Sequence, residues 1–430
     1  MINNKKYPIS LICMMSLIMS LASCSSDNES ELLPDVNTRA GFSHTAEKTV
    51  VVYVSGENSL TDYINADIAE MLQGSCSIGD NNLLVYVDRS DKKELPWLAR
   101  MYKGRLTDSV SVADMGISER DMYSSDPQVF EKVLRYAMSH YKATEGYGLV
   151  LWGHCTGWMI QNEVPQTRAY GVDNGKNTKE NTGYWLNITT MAKILNNLPH
   201  LDFVFADCCN FMCLESLYEL RHVADYAIGS TAEIPAEGAP YHTVIPALFS
   251  NKDAAVKAME AYYEAYSDRL PLSVVKMSEM DNVATATRAV VHSIGERSDG
   301  GYADMRGLIH YNYMGSRYDD FNPAYNVFYD AGDYMLHYAT ESEYKQWKAV
   351  LDKAVIAKRE ASWWVTEKHW IKYYADFKVT SERYHGVTMF VEQEPSVSIY
   401  QQMNTDIVKM EWYHAMKFAL SNHRAKGVSL

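Results

Sequence analysis

The chain has 430 residues, a formal net charge of −14, 47% apolar and 22% charged residues. That balance excludes a mainly disordered chain or a coiled coil, and the acidic excess excludes a nonspecific nucleic-acid binder, which needs a basic footprint to displace counterions. Seven cysteines are too few for a disulfide scaffold, and the length allows two or three domains, or one large α/β domain with appendages.

In chain order, Lys5 and Lys6 precede a mostly apolar run from Tyr7 to Ala22 that is too short to span as a mature helix, so 1–23 reads as a signal peptide. Leu21-Ala22-Ser23-Cys24 resembles a bacterial lipobox, which implies lipid on Cys24 after cleavage. The acidic run from Ser25 to Glu31 resembles the signal that sends some Gram-negative lipoproteins to the outer face of the outer membrane. Residues 24–46 are polar and aperiodic, a flexible tether.

Short apolar runs then alternate with helical spacing. Strands are expected at Thr49–Val54, Leu83–Val87, Gly148–Trp152, Asp202–Ala206 and Tyr226–Gly229, with Trp97–Tyr102 as an edge strand. Helices are expected at Ser59–Leu72, after Ser125-Asp126-Pro127, at Thr189–Asn197 and at Met212–His222. This alternation predicts an α/β fold with a largely parallel sheet flanked by helices over 47–250. From about residue 250 helical stretches dominate (Lys252–Ser267, Asn282–Arg297, Ser342–Ala361), many of the 31 tyrosines gather, and a late strand, Gly386–Val391, precedes a last helix at Asp406–Leu420. Residues 251–430 therefore read as a helix-rich C-terminal subdomain packed on the sheet.

Ligands of open parallel sheets bind at the carboxyl ends of the strands. Two ends carry reactive groups: LVLWGHCTGW places His154 just past one strand, and FVFADCCNF places Asp207, Cys208 and Cys209 just past the next. A Cys there can be acidified by helix N-terminal amides, with the His as base. Alternation sends Cys208 and Cys209 to opposite faces, and Cys76, Cys208 and Cys213 read as small buried hydrophobes. No HExxH, CxxC pair, EF-hand loop, phosphate loop or GxSxG elbow is present.

These motifs, in their order, resemble the clostripain family of cysteine peptidases (peptidase C11), whose fold is caspase-like. The resemblance rests on Val52–Leu60 (VYVSGENSL), His154-Cys155-Thr156-Gly157-Trp158, Asp207-Cys208-Cys209 with Glu215 and Tyr218-Glu219-Leu220 following, Gly229-Ser230, Pro235–Tyr241 (PAEGAPY) and Gly386–Val391. It implies Cys209 as nucleophile, six residues before Glu215, and His154 as its partner. It implies an oxyanion hole from the amides of Cys209 and Cys155. It also implies cleavage after Arg or Lys through an acidic pocket built by Asp207 and by Glu237, with Glu233 as rival. Self-cleavage is expected between Gln161 and Tyr184, at Arg168, Lys176 or Lys179. Where the family carries Gly after its His this chain has Cys155, which would be strained were its φ positive. No cofactor is expected; some relatives use calcium, but no spacing here identifies a site. The expected partners are proteins or peptides with a basic P1 residue and, through the lipid, a membrane; the chain is expected to be a monomer. The competing readings are a non-catalytic surface-binding lipoprotein, for which the aromatics would form the face, and a pseudo-peptidase of the same fold.

Overall fold

A computed structural model describes residues 42–91, 94–117, 123–160, 169–175, 178–180, 183–298, 302–312, 326–365, 370–372, 379–394 and 398–421. They lie in one compact unit, Pro34–Leu430. The strands are β1 (His44–Gly56), β2 (Asn82–Arg89), β3 (Trp97–Tyr102), β4 (Arg105–Ser111), β5 (Tyr141–Gly153), β6 (Tyr170–Asp173), β7 (Tyr184–Leu186), β8 (Leu201–Asp207), β9 (Ala224–Ser230), β10 (Leu272–Lys276), β11 (His310–Asn312), β12 (Asn326–Asp330), β13 (Val355–Arg359), β14 (Trp363–Val365), β15 (Trp370–Lys372) and β16 (Thr388–Met389). The helices are α1 (Ile64–Ser75), α2 (Pro127–His140), α3 (Ile188–Leu195), α4 (Leu214–Glu219), α5 (Tyr241–Leu248), α6 (Ala254–Tyr266), α7 (Met280–Arg297), α8 (Ala331–Tyr338), α9 (Glu341–Ala354), α10 (Ser398–Asp406) and α11 (Glu411–Ser421).

Nine strands form the central sheet in the order β13-β10-β9-β8-β5-β1-β2-β3-β4. The five from β9 to β2 are parallel, and the two strands beyond each end of this run are antiparallel. Strands buried on both faces need apolar residues at every position, and β1 supplies them. Its Val51 and Tyr53 join the core under α2, α3, α4 and α7, while Val50, Val52 and Val54 join the core under α1, α5 and α6. The chain winds one way from β1 to β2 and the other way through β5, β8 and β9, so the topological switch lies between β1 and β5.

Local chemistry sets the boundaries. Asp126 caps α2 by accepting the N–H groups of Gln128 and Val129 at 2.7 and 3.2 Å, with Pro127 in the first turn. Strand β3 is not the edge: Lys103 and Gly104 both have positive φ, the two-residue hairpin geometry, and fold the mostly polar β4 outside it. The helix expected to reach Ala361 stops at Ala354, because β13 pairs antiparallel with β10 and this pairing overrides helical spacing. The tether also ends earlier than expected, since His44–Ala46 already pair with Tyr141–Ala143. The late strand shrinks to Thr388–Met389, which pairs with β12, and Met212–His222 shrinks to the six residues of α4.

Candidate active site

The sheet brings His154 and Cys209 to corresponding positions. Parallel strands β5 and β8 are in register through Trp152↔Asp207, and each residue lies two beyond that pair. Strand β1 flanks β5 on the other side, with Ser55 opposite Gly153. Gly153 has φ 145°, and a Cβ there would meet the Ser55 carbonyl oxygen at 2.8 Å. Glycine is therefore required just where the strand turns out to present His154. The His154 carbonyl then accepts the N–H of Gly171 at 2.8 Å, the Thr156 N–H donates to Ala169 at 2.9 Å, and Cys155 bridges Tyr170. The half-buried imidazole shares a hydrogen bond with Ser59 Oγ through Nε2 at 2.9 Å.

The strain foreseen at Cys155 does not arise. Cys155 is outside the positive-φ region, which Gly153 and Gly157 occupy instead. Gly157, with φ 61°, is packed so that a Cβ would meet the Asn210 carbonyl oxygen at 2.7 Å, which ties the His motif to the Cys loop.

Cys208 is buried in the core under α2 and α7, while Asp207 faces the opposite layer. Cys209 is half-buried, and Cys155, Cys208 and Cys213 are buried, whereas Cys76, expected to be buried, is exposed at the end of α1. The loop after β8 is held from two sides. The N–H groups of Asn210 and Met212 donate to Ala232 and Ser230 at 2.9 and 3.1 Å, and the N–H of Thr388 donates to Met212 at 2.9 Å. The Cys209 sulfur accepts the Ile234 N–H at 3.4 Å. Acidification by a helix N-terminus is not realised, because α4 starts only at Leu214 with Cys213 as its cap. Burial, and then the charge of Glu233, push the Cys209 thiol up.

Asp207 is 3% exposed. Its Oδ2 accepts the Ala239 N–H at 3.0 Å and the Tyr241 hydroxyl at 2.7 Å, and its Oδ1 accepts the Tyr262 hydroxyl at 2.9 Å. It is thus not a cap of the helix that follows. Burial raises its carboxyl against the pull of these three donors. Asp67 lies near it, hydrogen-bonded by the Trp152 indole at 2.6 Å. Burial and then the charge of Asp207 push Asp67 up to about 8, with Glu70 and Glu237 adding to the effect. Glu237 is exposed and Glu233 half-buried.

The model of the clostripain family matches residues 52–419. The chain belongs to the clostripain family. A secreted C11 cysteine protease from Bacteroides thetaiotaomicron, solved with an irreversible peptide inhibitor, shares 29% identity and a TM-score of 0.70 over 87% of this chain and 99% of its own. An inactive zymogen C11 protease from Parabacteroides distasonis shares 26% identity and a TM-score of 0.69 over the same shares of the two chains. No curated protein matches by sequence. Membership makes this chain a member of a cysteine-peptidase family, with proteins or peptides as the substrate class.

Against that clostripain frame, Cys24, Arg168 and Lys176 lie outside the described residues. Lys179 is exposed and pairs with Asp62 at 2.6 Å. No described helix is long and apolar enough to cross a membrane. Among the described residues, Glu57, Asp88 and Asp173 form a cluster with metal-ligand chemistry, their carboxylate oxygens within 4.8 Å of one another. Calcium takes six to eight oxygens, of which these three carboxylates would be part. Asp173 spends Oδ2 on the N–H and hydroxyl of Ser124 and Oδ1 on the Gly175 N–H, and all three carboxylates are buried.

Sequence reasoning did not find Ser59, Asp67, Tyr241 or Tyr262. Asp67 sits on an ordinary helical face, and the tyrosines come from helices that only the fold brings to Asp207. The GENSL run and the tyrosine excess were the available signals.

Proposed function

We propose that this protein is a lipid-anchored endopeptidase that hydrolyses peptide bonds after Arg or Lys with a Cys209–His154 dyad. The observation that carries the reading is the β5–β8 register, which sets both residues two positions beyond a paired Trp152 and Asp207. His154 takes the thiol proton as the sulfur attacks the scissile carbonyl carbon, then gives it to the leaving amine. Water hydrolyses the resulting thioester. The N–H groups of Cys209 and Cys155 stabilise the tetrahedral oxyanion. The bridge to Tyr170 supports this role, since it uses the His154 carbonyl and the Thr156 N–H and leaves the Cys155 amide out of the ladder.

Asp207, held by two tyrosines, supplies the charge for a P1 cation, and Glu237 the second acid; the field of Asp207, Glu70 and Glu237, which also raises Asp67, supports a cation-selective pocket. Lipid on Cys24 holds the enzyme at the outer membrane, facing outward. It acts as a monomer and matures by cutting itself between Gln161 and Tyr184.

The test is turnover of fluorogenic peptides with P1 Arg or Lys by the wild type, Cys209→Ala and His154→Ala, with a gel of each after incubation. Loss of turnover and of self-cleavage in both variants is expected. Full activity in Cys209→Ala would sink the proposal.

A further inference from the structure

We infer that Ser59 is a positioning residue for the imidazole, a third partner beside the dyad; this rests on the dyad reading above. Three adjacent strands of the sheet, β8, β5 and β1, run in that order. Past their carboxyl ends come Cys209, His154 and Ser59. The strand end that carries His154 thus lies between the one that carries Cys209 and the one that carries Ser59, and the Ser59 hydroxyl touches the ring, which matches the nucleophile–base–orienter order of acyl-transfer sites.

The loop that carries Ser59 is built to hold it. Asn58 is buried, and its Nδ2 donates to Ser55 at 3.0 Å and to Val172 at 2.8 Å, while its Oδ1 accepts the Leu60 N–H at 2.9 Å. The Asn58 N–H donates to Gly56 at 2.8 Å, and the Thr61 N–H returns to Asn58 at 3.2 Å. A buried asparagine thus staples the turn after β1 to β6, and the exposed Ser59 beside it reaches His154 Nε2 at 2.9 Å. The His154 backbone is itself fixed by Gly153 and by the Gly171 N–H. The Ser59 hydroxyl therefore acts on the ring's χ angles and tautomer. With Nε2 engaged by Ser59, Nδ1 is the nitrogen that exchanges a proton with Cys209. A hydroxyl does this without placing a carboxylate on the half-buried imidazole.

The experiment compares Ser59→Ala, Ser59→Thr and Ser59→Asp with Cys209→Ala and His154→Ala in the intact protein. It reads kcat and KM on an Arg peptide. It also reads, by mass spectrometry across pH, the rate at which iodoacetamide alkylates Cys209. Ser59→Ala should lower kcat about two- to tenfold, the worth of one hydrogen bond, with KM within about twofold. Ser59→Thr should restore it. Ser59→Asp should move the pH inflection of alkylation upward by about one unit, because a carboxylate on Nε2 favours the imidazolium. Wild-type kcat in Ser59→Ala, together with an unmoved inflection in Ser59→Asp, overturns the assignment. If both dyad variants are inactive while Ser59→Ala keeps the wild-type kcat and Ser59→Asp leaves the inflection unmoved, only this inference falls. If Cys209→Ala or His154→Ala keeps turnover, the dyad reading falls with it.

Discussion

Replacing Asp207 with Asn separates the charge of the pocket acid from its shape. The carboxylate takes three donors, the Ala239 N–H and Tyr241 hydroxyl on Oδ2 and the Tyr262 hydroxyl on Oδ1. In Asp207→Asn the amide oxygen can still serve Tyr262, and the Tyr241 hydroxyl can rotate to accept from the new NH2. The Ala239 N–H cannot adapt and is left without an acceptor, which costs about 1–3 kcal/mol. Removing a desolvated charge, and relieving Asp67 of its neighbour, offsets part of that, so the fold should survive with a modestly lower Tm. The loss at P1 should be larger. Removing one partner of a buried charge pair costs about 2–5 kcal/mol, or roughly thirtyfold to a few thousandfold in kcat/KM for Arg and Lys peptides. A P1 Gln peptide, which brings no charge, should change by little more than the stability effect. The assay is kcat/KM on peptides that differ only at P1, with a thermal melt of each sample. An Arg-to-Gln ratio unchanged within about threefold in a folded Asp207→Asn protein would refute the reasoning and leave Asp207 as a brace for α5 and α6.

Two further predictions concern other parts of the chain. Glu215 is buried, accepts the Phe390 N–H at 2.7 Å, and is pushed by burial from 4.5 up to about 7. Because its folded value lies above its unfolded one, the contribution of Glu215 to stability is greatest below about pH 4.5 and falls as pH rises through 7, by roughly 3 kcal/mol at most. Glu215→Gln keeps the acceptor and cannot ionise, so its urea stability should be flatter between pH 5 and 8 and higher than wild type at pH 8; a wild-type slope would count against this account. For the anchor, the mature chain should partition into detergent and membranes while Cys24→Ser stays in the aqueous phase. An aqueous wild type would remove the lipid from the picture.

The alternation of β and α segments along the chain, the burial of Cys208 and the glycines around His154 are local properties. They follow from side-chain period and φ, which neighbouring residues set, and so the sequence alone determined them, along with the family. Tertiary pairing decided the rest. It made β3 an inner strand by adding a polar partner, turned the end of an expected helix into β13, and kept Cys155 out of the left-handed region. It drew tyrosines of α5 and α6 onto Asp207 and put Ser59 against His154. The contacts of β13 with β10, of the tyrosines with Asp207 and of Ser59 with His154 join segments tens of residues apart, whose meeting depends on how helices and strands pack and not on any pattern that either segment carries by itself, whereas β4 is folded onto β3 by the two-residue turn between them.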